Sequence, residues 1–516
     1  NYNTAIGADF NVNSILGFNS NQRTFSSLRA NITNLDIPNF YELSNSSVKP
    51  VVLQNDAIRK SFGAFASIET SYKNRVFLTL TGRNDWTSTL PMSNNSYFYP
   101  SASLSGIVLD TPDYFLKLRA GYAALANDTD PYQTESALSQ GSAFLGFGNI
   151  FLPFGGVNGY EFATTLGNEN LKPERVNELE FGFETNLFKK RVNIDATYYN
   201  KKSEGILVSR PLAASTGFGF QTTNLIDLTN KGVELVLNVV PIRTKDFEWD
   251  FTTTFTKNES EVTGIAGGLQ SVELGSNFGI TFNAVVGQPL GVFKAIVPKT
   301  NDTGQYIVDP GTGFYANTTE QQAIGDSQRD FILGFKNKVS YKGLSLTFGL
   351  DWKQGGEMYS YTKRLSHFTG NGIETTYNDR NPFIIPNSVV EIKNAAGVVT
   401  GYAENTNPIA KDRMDDYWNA SSNAGIEQGH IIDKTFVRLR DVALTFNFPS
   451  APLKRLGLAN ASFTIYGKNL ALWTPKDNPY VDPELSTFGD GLLSEQGEFG
   501  TNPSQRSYGA SIKLTF

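Results

Sequence analysis

The residues of this chain that could carry acid–base or metal chemistry are few. The 516 residues include no cysteine, which excludes disulfides, thiolate metal sites and cysteine nucleophiles within the chain. The two histidines, His367 and His430, both fall in polar segments. A polar context predicts histidines on surface loops rather than catalytic bases or metal ligands.

Paired carboxylates are the remaining candidates for catalysis. Asp415 and Asp416 lie in a predicted loop, whereas Glu178 and Glu180 lie on the polar side of a predicted strand. General acid–base work needs neighbouring groups or an apolar pocket that tune the two pKa values. The sequence offers no such histidine, cysteine or pocket, so we predict that the protein is not an enzyme.

One oxygen-rich segment, TNDTGQYIVDPGTG at residues 300–313, invites comparison with a calcium-binding loop. Thr303 and Gln305 stand where a tight calcium site would have acids. Ordinary turn formation by Asn, Asp and Gly is therefore the favoured interpretation, with calcium in an extracellular loop as the alternative. No other metal or cofactor is predicted.

Two further segments are rich in glycine and phenylalanine: GSAFLGFGNIFLPFGG at 141–156 and GFGF at 217–220. A glycine loop that binds phosphate follows a strand and opens a helix. Neither segment has that context. We predict that both are aromatic loops rather than phosphate sites.

The elements that position these segments are strands. In the C-terminal stretch SYGASIKLTF, the apolar residues Tyr508, Ala510, Ile512, Leu514 and Phe516 alternate with small or polar ones. The same period of two recurs in YKGLSLTFGLDWK and RVNIDATYYN. Alternation over so many segments indicates β-structure with one apolar and one polar face.

We predict about 14 strands, and their connections alternate between short turns and long loops. An up-and-down meander with short turns at one end and long loops at the other is typical of an outer-membrane β-barrel. A soluble β-sandwich or propeller has no reason to sort its loops in this way. The predicted strands lie near residues 3–18, 60–72, 74–86, 98–110, 114–126, 174–188, 190–203, 226–241, 245–259, 327–341, 343–357, 430–448, 460–470 and 503–516.

Composition agrees with this fold class. Charged residues make up 18% of the chain, and its mean hydropathy is −0.27. Barrel strands of about 10 alternating residues have a weak hydropathy signal, so this value is compatible with a barrel. No run of about 18 apolar residues predicts a membrane-spanning helix. The 44 basic and 50 acidic residues give a net charge of −6, which disfavours a nucleic-acid partner.

The solvent on each side of a strand determines which side chains face it. Lipid requires apolar side chains, so the residues that include Glu178, Asp195, Asp351 and Lys513 must face a wet lumen. In FVRLRDVALTFNF the apolar residues change from odd-numbered to even-numbered positions. This change predicts either a bulge near Asp441 or a strand whose upper part rises beyond the hydrocarbon. The predicted strand parity permits a closed 14-stranded barrel or the last 14 strands of a larger one.

Seven segments are informative when they are taken together: 74–106, 116–127, 171–207, 324–360, 436–449, 466–475 and 482–484. Together they resemble the C-terminal part of the SusC/RagA family of TonB-linked outer-membrane transporters of Bacteroidetes. The resemblance implies the last strands of a 22-stranded barrel, with residues 1–516 forming the C-terminal part of one barrel. The N-terminal plug and first strands are absent from these residues, and we expect them upstream in the same gene or in a second polypeptide.

The resemblance also implies a function and partners. We expect an integral protein of the bacterial outer membrane that imports an oligomeric nutrient, glycan or peptide, through a plugged barrel. Expected partners are membrane lipid, a SusD-like surface lipoprotein that acts as a lid, TonB through the missing N-terminal part, and the remainder of the barrel. A scaffold within a larger outer-membrane assembly and a passive diffusion channel are the alternatives.

Two groups of residues follow from this picture. Aromatic side chains near the extracellular mouth are candidates for contact with substrate or lid: Phe144, Phe147, Phe154, Phe218 and Phe220. The terminal segment is similar to the aromatic signal by which outer-membrane barrels are recognised for assembly, through Tyr508, Ile512, Leu514 and Phe516.

Overall fold

The computed structural model describes residues 1–144, 149–152, 154–455, 457–489 and 491–516. Strands dominate this part of the chain, and no helix in it combines the length and apolar character needed to cross a lipid bilayer. The strands, numbered in chain order, are β1 Tyr2–Ile6, β2 Phe10–Asn31, β3 Val51–Tyr72, β4 Val76–Thr87, β5 Ser96–Asp110, β6 Phe115–Asn127, β7 Leu138–Gln140, β8 Ser142–Phe144, β9 Asn149–Phe151, β10 Tyr160–Phe162, β11 Thr165–Leu166, β12 Glu174–Leu187, β13 Val192–Pro211, β14 Phe220–Arg243, β15 Phe247–Ile265, β16 Ser271–Asn277, β17 Ile280–Val285, β18 Val292–Ala295, β19 Tyr306–Ile307, β20 Gln322–Asp326, β21 Phe331–Tyr341, β22 Leu344–Gln354, β23 Glu357–Ser360, β24 Ser388–Lys393, β25 Val399–Glu404, β26 Ile431–Asp433, β27 Phe436–Asn447, β28 Asn460–Trp473, β29 Gly497–Glu498 and β30 Ser507–Thr515. The α-helices are α1 Tyr361–Phe368, α2 Met414–Trp418 and α3 Ser450–Arg455, and 3-10 turns span Ala214–Thr216, Ala266–Gly268, Ile373–Arg380, Lys411–Arg413 and Ala424–His430.

The longest sheet has the order β1-β2-β3-β4-β5-β6-β12-β13-β14-β15-β21-β22-β27-β28-β30, with β11 beside β14. The chain divides into two compact units, and β5, β6, β12, β13 and β14 each contribute residues to both. Unit 1 comprises Asn1–Gly106, Ala120–Leu179 and Lys202–Asp227, and unit 2 comprises Ile107–Arg119, Glu180–Lys201 and Leu228–Phe516.

In unit 1 the strands form antiparallel hairpins. β2 and β3 pair along all 22 residues of each, from Phe10 opposite Tyr72 to Asn31 opposite Val51. The turn after β3 places Lys73 and Asn74 at positive φ, as tight hairpin turns require. The long predicted loop of residues 20–59 is therefore shorter in the structure, where it spans only 32–50.

The prediction of one strand over residues 3–18 is wrong. The segment forms two strands, β1 and β2, which pair antiparallel around a turn that includes Gly7 at φ +66°. The apolar residues continue across this turn, so periodicity alone did not reveal it. One strand more than predicted therefore precedes the long loop. The interpretation that rested on an even count of 14 strands fails for this reason.

In unit 2 the antiparallel order β15-β21-β22-β27-β28-β30 separates polar from apolar side chains. The Arg119 guanidinium (Nη2) lies 2.6 Å from the Asp195 carboxylate (Oδ1), so two residues of the predicted polar face meet on one side of the sheet. Their contact passes over Gly182, where a Cβ atom would lie 2.6 Å from the Arg119 Nε. On the other face, large apolar side chains such as Leu346 and Phe446 are each 39% exposed.

The predicted bulge in β27 is confirmed. Leu439 pairs with Leu350 and Asp441 pairs with Gly349, which leaves Arg440 as the extra residue. A bulge reverses the alternation of faces, since it adds one residue to a period of two. The apolar parity therefore changes at this point although each side of the sheet keeps its polarity.

The long segments between the sheet strands of unit 2 fold into small sheets of their own. We call residues 266–330, 355–435 and 474–506 the loop region. It contains the sheets β16-β17-β18-β20, β19-β24-β25 and β26-β23-β29. One apolar core centres on Phe282, Phe293 and Tyr359, and a second on Phe314 and Ile409. The predicted strand 430–448 is split accordingly, with β26 in a loop-region sheet and β27 in the long sheet.

Candidate functional site

Cationic side chains gather on the polar face of unit 2 where β21, β22 and β27 meet the loop region. Arg438, Lys353 and Arg329 place their charges 5.3, 5.5 and 5.7 Å from the centre of the Phe436 ring. Phe436 is 1% exposed, and its ring can attract cations through its quadrupole. β27 begins at Phe436, so the first residues of this strand organise the cluster.

Carboxylates from one short segment of the loop region enter this cluster. Glu484 Oε1 lies 2.6 Å from Lys353 Nζ and 2.5 Å from Arg440 Nη2. Asp482 pairs with Arg438, and Arg440 also pairs with Asp351. Burial opposes the ionised form of Glu484, but hydrogen bonds from Arg440 and Lys353 prevail and lower its pKa to about 2. These ion pairs fix residues 482–484 to the inner face of the sheet.

A second ion pair lies beside this segment. Lys434 is 2% exposed, pairs with Glu495, and donates a hydrogen bond of 3.1 Å to the Ser327 carbonyl oxygen. Burial lowers the pKa of Lys434, and the charge of Glu495 opposes that shift. Through Lys434, two residues before β27, these contacts join all three segments of the loop region.

A cavity of about 470 Å³ opens between these ion pairs and the inner face of β14 and β15. Arg329 lines it and donates a hydrogen bond of 3.1 Å from Nη1 to the Lys434 carbonyl oxygen. Hydroxyl and amide side chains form much of the remaining wall: Asn230, Thr256, Asn258, Ser260, Ser327, Gln328, Ser486 and Ser494. These hydroxyl, amide and cationic groups are suited to binding a polar ligand.

The prediction that both histidines lie on surface loops is wrong. His367 and His430 are 6% and 0% exposed, and His430 Nε2 lies 3.2 Å from His367 Nδ1. His367 Nε2 lies 3.1 Å from Glu374 Oε2, and Glu374 accepts a hydrogen bond from Tyr480. Burial lowers the pKa of His367, and His430 lowers it further. The two histidines are 63 positions apart in the sequence, which hid this contact from sequence reasoning.

The other candidates for chemistry form ordinary contacts. Asp416 accepts hydrogen bonds from Arg413 and Ser422. In the segment 300–313, Asn301 Oδ1 accepts from the Thr303 and Gln305 amides, and Asp309 Oδ1 accepts from two amides that follow it. These are the Asx turns that the turn interpretation predicts. Among the described residues, no group of three or more His, Cys, Asp or Glu is placed to hold a metal ion.

Three of the predicted aromatic candidates, Phe154, Phe218 and Phe220, belong to unit 1. Phe147 falls outside the described residues, and Phe144 is described only by its backbone in β8. Phe154 and Phe220 are 63% and 47% exposed, and the Phe218 ring lies 6.1 Å from that of Phe162. Their contacts with substrate or lid stay predictions.

The predicted assembly signal lies on β30, which pairs with β28 from Ser507 to Thr515. Tyr508, Ile512, Leu514 and Phe516 are 75%, 69%, 49% and 88% exposed. They alternate along the strand as predicted, and their recognition during assembly stays a prediction.

The sequence analysis did not single out Arg329, Lys353, Glu484 or Glu495 as a site. The charges at Asp351, Lys353, Arg438 and Arg440 share the inward parity of their strands, and that signal was readable. The positions of Glu484 and Glu495 could not be predicted, because no sequence periodicity indicates how a long loop folds.

Comparison with known proteins decides the family. Residues 1–351, more than half of the chain, match the family model described as TonB dependent receptor-like, beta-barrel. The chain belongs to this family. Its strands are therefore those of an antiparallel transmembrane β-barrel of the TonB-dependent type, and the predicted fold class is confirmed.

Relatives place the chain within the SusC-like group. A TonB-dependent receptor of Formosa agariphila is 28% identical over 527 residues, which cover 94% of this chain and 49% of that protein. SusC of Bacteroides thetaiotaomicron is 25% identical over 308 residues, or 55% of this chain. The RagAB peptide transporter shares the fold over the whole chain, with a TM-score of 0.76 at 17% identity and 54% of its own chain covered.

These matches confirm the resemblance to SusC and RagA. The chain spans about half the length of the curated relatives that cover nearly all of it. These relatives are named as receptors rather than enzymes.

Proposed function

We propose that this chain is the C-terminal barrel portion of a SusC-like importer, an integral protein of the bacterial outer membrane that takes up an oligomeric nutrient. The observation that carries the proposal is the charged inner face of unit 2, within a family of TonB-dependent barrels. A polar, ion-paired inner face offers a wet path that a lipid-facing surface cannot offer.

The loop region supplies the second part of the proposal. Loops that only connected strands would need no apolar cores, yet this region has two. Ion pairs of Glu484 with Lys353 on β22 and Arg440 on β27 attach it to the inner face of the sheet. We propose that it forms a firm rim, against which a SusD-like lipoprotein closes as a lid. Substrate held between rim and lid would then enter when TonB, acting through an N-terminal plug, opens the lumen.

The supporting comparison is RagAB, a peptide transporter with the same fold. Its low identity leaves the nutrient open between glycan and peptide. The exposed Phe154 and Phe220 of unit 1 are proposed contacts for substrate or lid, because amphipathic or apolar rings exposed to water favour a partner.

The proposal is tested in the bacterium that carries the complete gene. Deletion should abolish growth on one oligosaccharide or peptide mixture, and complementation with the complete gene should restore it. A complementing gene that lacks its TonB-contacting segment should fail. Growth restored by that truncated gene would support a passive channel, and unchanged growth after deletion, with loss of an outer-membrane complex, would support a scaffold.

The lid is tested separately. A tagged complete protein, extracted in mild detergent, should retain a surface lipoprotein encoded beside it. Absence of such a lipoprotein from the purified complex, while the barrel remains folded, would contradict the proposed lid.

A further inference from the structure

Charged side chains gather at one wall of the cavity in unit 2. Five cations lie in or beside it, namely Arg329, Lys353, Lys434, Arg438 and Arg440. Four of these cations pair with four carboxylates, namely Asp351, Asp482, Glu484 and Glu495. Within the described part of the chain, each of these cations except Arg329 has an ion-pair partner.

Arg329 is held in place without being neutralised. Its Nη1 donates to the Lys434 carbonyl oxygen at 3.1 Å, and its guanidinium faces the Phe436 ring. The charges of Glu495, Glu484 and Asp433 act on it from a distance, and burial lowers its pKa. A guanidinium has five N–H donors, so most of the donors of Arg329 remain for another partner.

Arg329 is half-buried, and a charge that is partly withdrawn from water gains stability when an opposite charge arrives. The cavity beside Arg329 has room for such a group, and its volume of about 470 Å³ lies in the range of small-ligand sites. Its wall of hydroxyl and amide groups suits a hydroxylated or amide-bearing ligand. Guanidinium groups bind planar oxyanions through paired hydrogen bonds.

We propose that this cavity is a binding site for an oxyanion group, a carboxylate or sulfate carried by a small polar ligand, with Arg329 as its principal contact. The proposal deepens the proposed function, on which it rests, by giving the imported nutrient an acidic character. Uronic acid residues, sulfated sugars and acidic peptides share this chemistry, and the test distinguishes among them.

The test is isothermal titration of the complete protein in detergent, with three pairs of probes. Digalacturonate is compared with digalactose, a monosulfated disaccharide with its unsulfated form, and N-acetyl-alanyl-aspartate amide with N-acetyl-alanyl-asparagine amide. At least one acidic probe should bind about tenfold or more tightly than its neutral counterpart, since hydrogen bonds between charged groups are the stronger ones. The pair that shows the preference identifies the source of the oxyanion.

The variant Arg329→Gln should abolish that preference, and Arg329→Lys should retain part of it. Arg243→Gln is the matched control, because Arg243 pairs with Glu248 on an exposed part of unit 2 and its loss changes the net charge equally. Thermal unfolding of each variant shows whether it remains folded.

No preference in any pair, or a preference that survives in folded Arg329→Gln, would overturn the site. If Arg329→Gln does not fold, a weaker or lost preference in folded Arg329→Lys supports the site, and full retention of the preference overturns it. Binding in detergent needs neither TonB nor uptake. The binding test can therefore succeed when the growth test of the importer fails, and it can fail when the growth test succeeds.

Discussion

The sheet strands of unit 2 and its loop region follow opposite rules for apolar side chains. In the sheet, Leu346 and Ile465 are 39% and 48% exposed on the outer face. In the loop region, Phe293 and Ile409 are fully buried in local cores. A single chain obeys both rules because its two regions meet different solvents, lipid around the strands and water around the loops.

Charged side chains form ion pairs in both regions. In the sheet they meet on the inner face, as with Arg119 and Asp195. In the loop region they join segments that are distant in sequence, as with Arg364 and Glu427, whose atoms lie 3.0 Å apart with both side chains buried. Ion pairs therefore lie both on the inner face of the sheet and within the loop region, and Glu484 links the two regions.

The largest expected effect tests the apolar core of the loop region. Phe293→Ala removes a fully buried ring and should cost about 3–5 kcal/mol of local stability. Phe446→Ala, on the outer face of the sheet, is the control and should cost less, because that ring is already 39% exposed. Hydrogen exchange of residues 280–295 measures the first change. Equal losses of protection in both variants would remove the distinction between the two regions.

The next effect tests the lipid-facing side of the sheet. Leu350→Arg should destabilise the folded barrel by about 2–4 kcal/mol, because Leu350 lies near the middle of β22 and a lipid-facing charge in the middle of a membrane-spanning strand is costly. Thr347→Arg, on the opposite face of the same strand, should be nearly neutral. Urea unfolding in phospholipid vesicles compares the two variants. A larger cost at Thr347 would mean that the faces are assigned the wrong way round.

A smaller effect tests the link between the regions. Glu484→Gln leaves Lys353 and Arg440 without their shared carboxylate and should cost about 1.5–3 kcal/mol, the range for hydrogen bonds to charged groups. The matched change Glu248→Gln breaks an exposed pair with Arg243 and should cost less than about 1 kcal/mol. Thermal unfolding measures both, and a larger loss at Glu248 would contradict the proposed role of Glu484.

The smallest effect is a pH dependence of the loop region. Burial lowers the pKa of His367, so the folded state binds fewer protons than the unfolded state, whose histidine titrates near its ordinary value of about 6.5. The stability from neutral His367 is therefore complete above that value and is lost as the pH falls toward the lowered pKa. Hydrogen exchange of α1, corrected for intrinsic rates, should show weaker protection at pH 5.5 than at pH 7.5.

The control for this prediction is His367→Gln. The variant should lose protection at both pH values and show a flatter dependence, because the titrating group that faces His430 and Glu374 is gone. An unchanged pH dependence in the variant would assign the titration to another group.

The sequence predicted the sheet far better than the loops, for a physical reason. Alternation reports solvent on each side of a strand, so residues 344–354 and even the bulge beside Asp441 were readable from their polarity. The strand 3–18 failed because Gly7 turns the chain without interrupting the apolar residues. Contacts such as that between His367 and His430 depend on how a long loop folds, and no local period encodes them.

The residues of the site also divide into those that the sequence predicts and those that it does not. Asp351 and Arg440 could be placed on the inner face from strand parity alone, although their contact with Glu484 could not. The position of Arg329, two residues before β21, has no signal in the sequence that separates it from other exposed arginines.

The most direct test of the account is a cysteine scan of β22, from Leu344 to Gln354, in outer membranes. The 516 residues contain no cysteine, so each introduced thiol is the only one in this chain. A water-soluble maleimide should label Ser345, Thr347, Asp351 and Lys353 positions and spare Leu346, Phe348, Leu350 and Trp352 positions. Uniform labelling, or labelling of the second set alone, would contradict an outer face in lipid and an inner face in water.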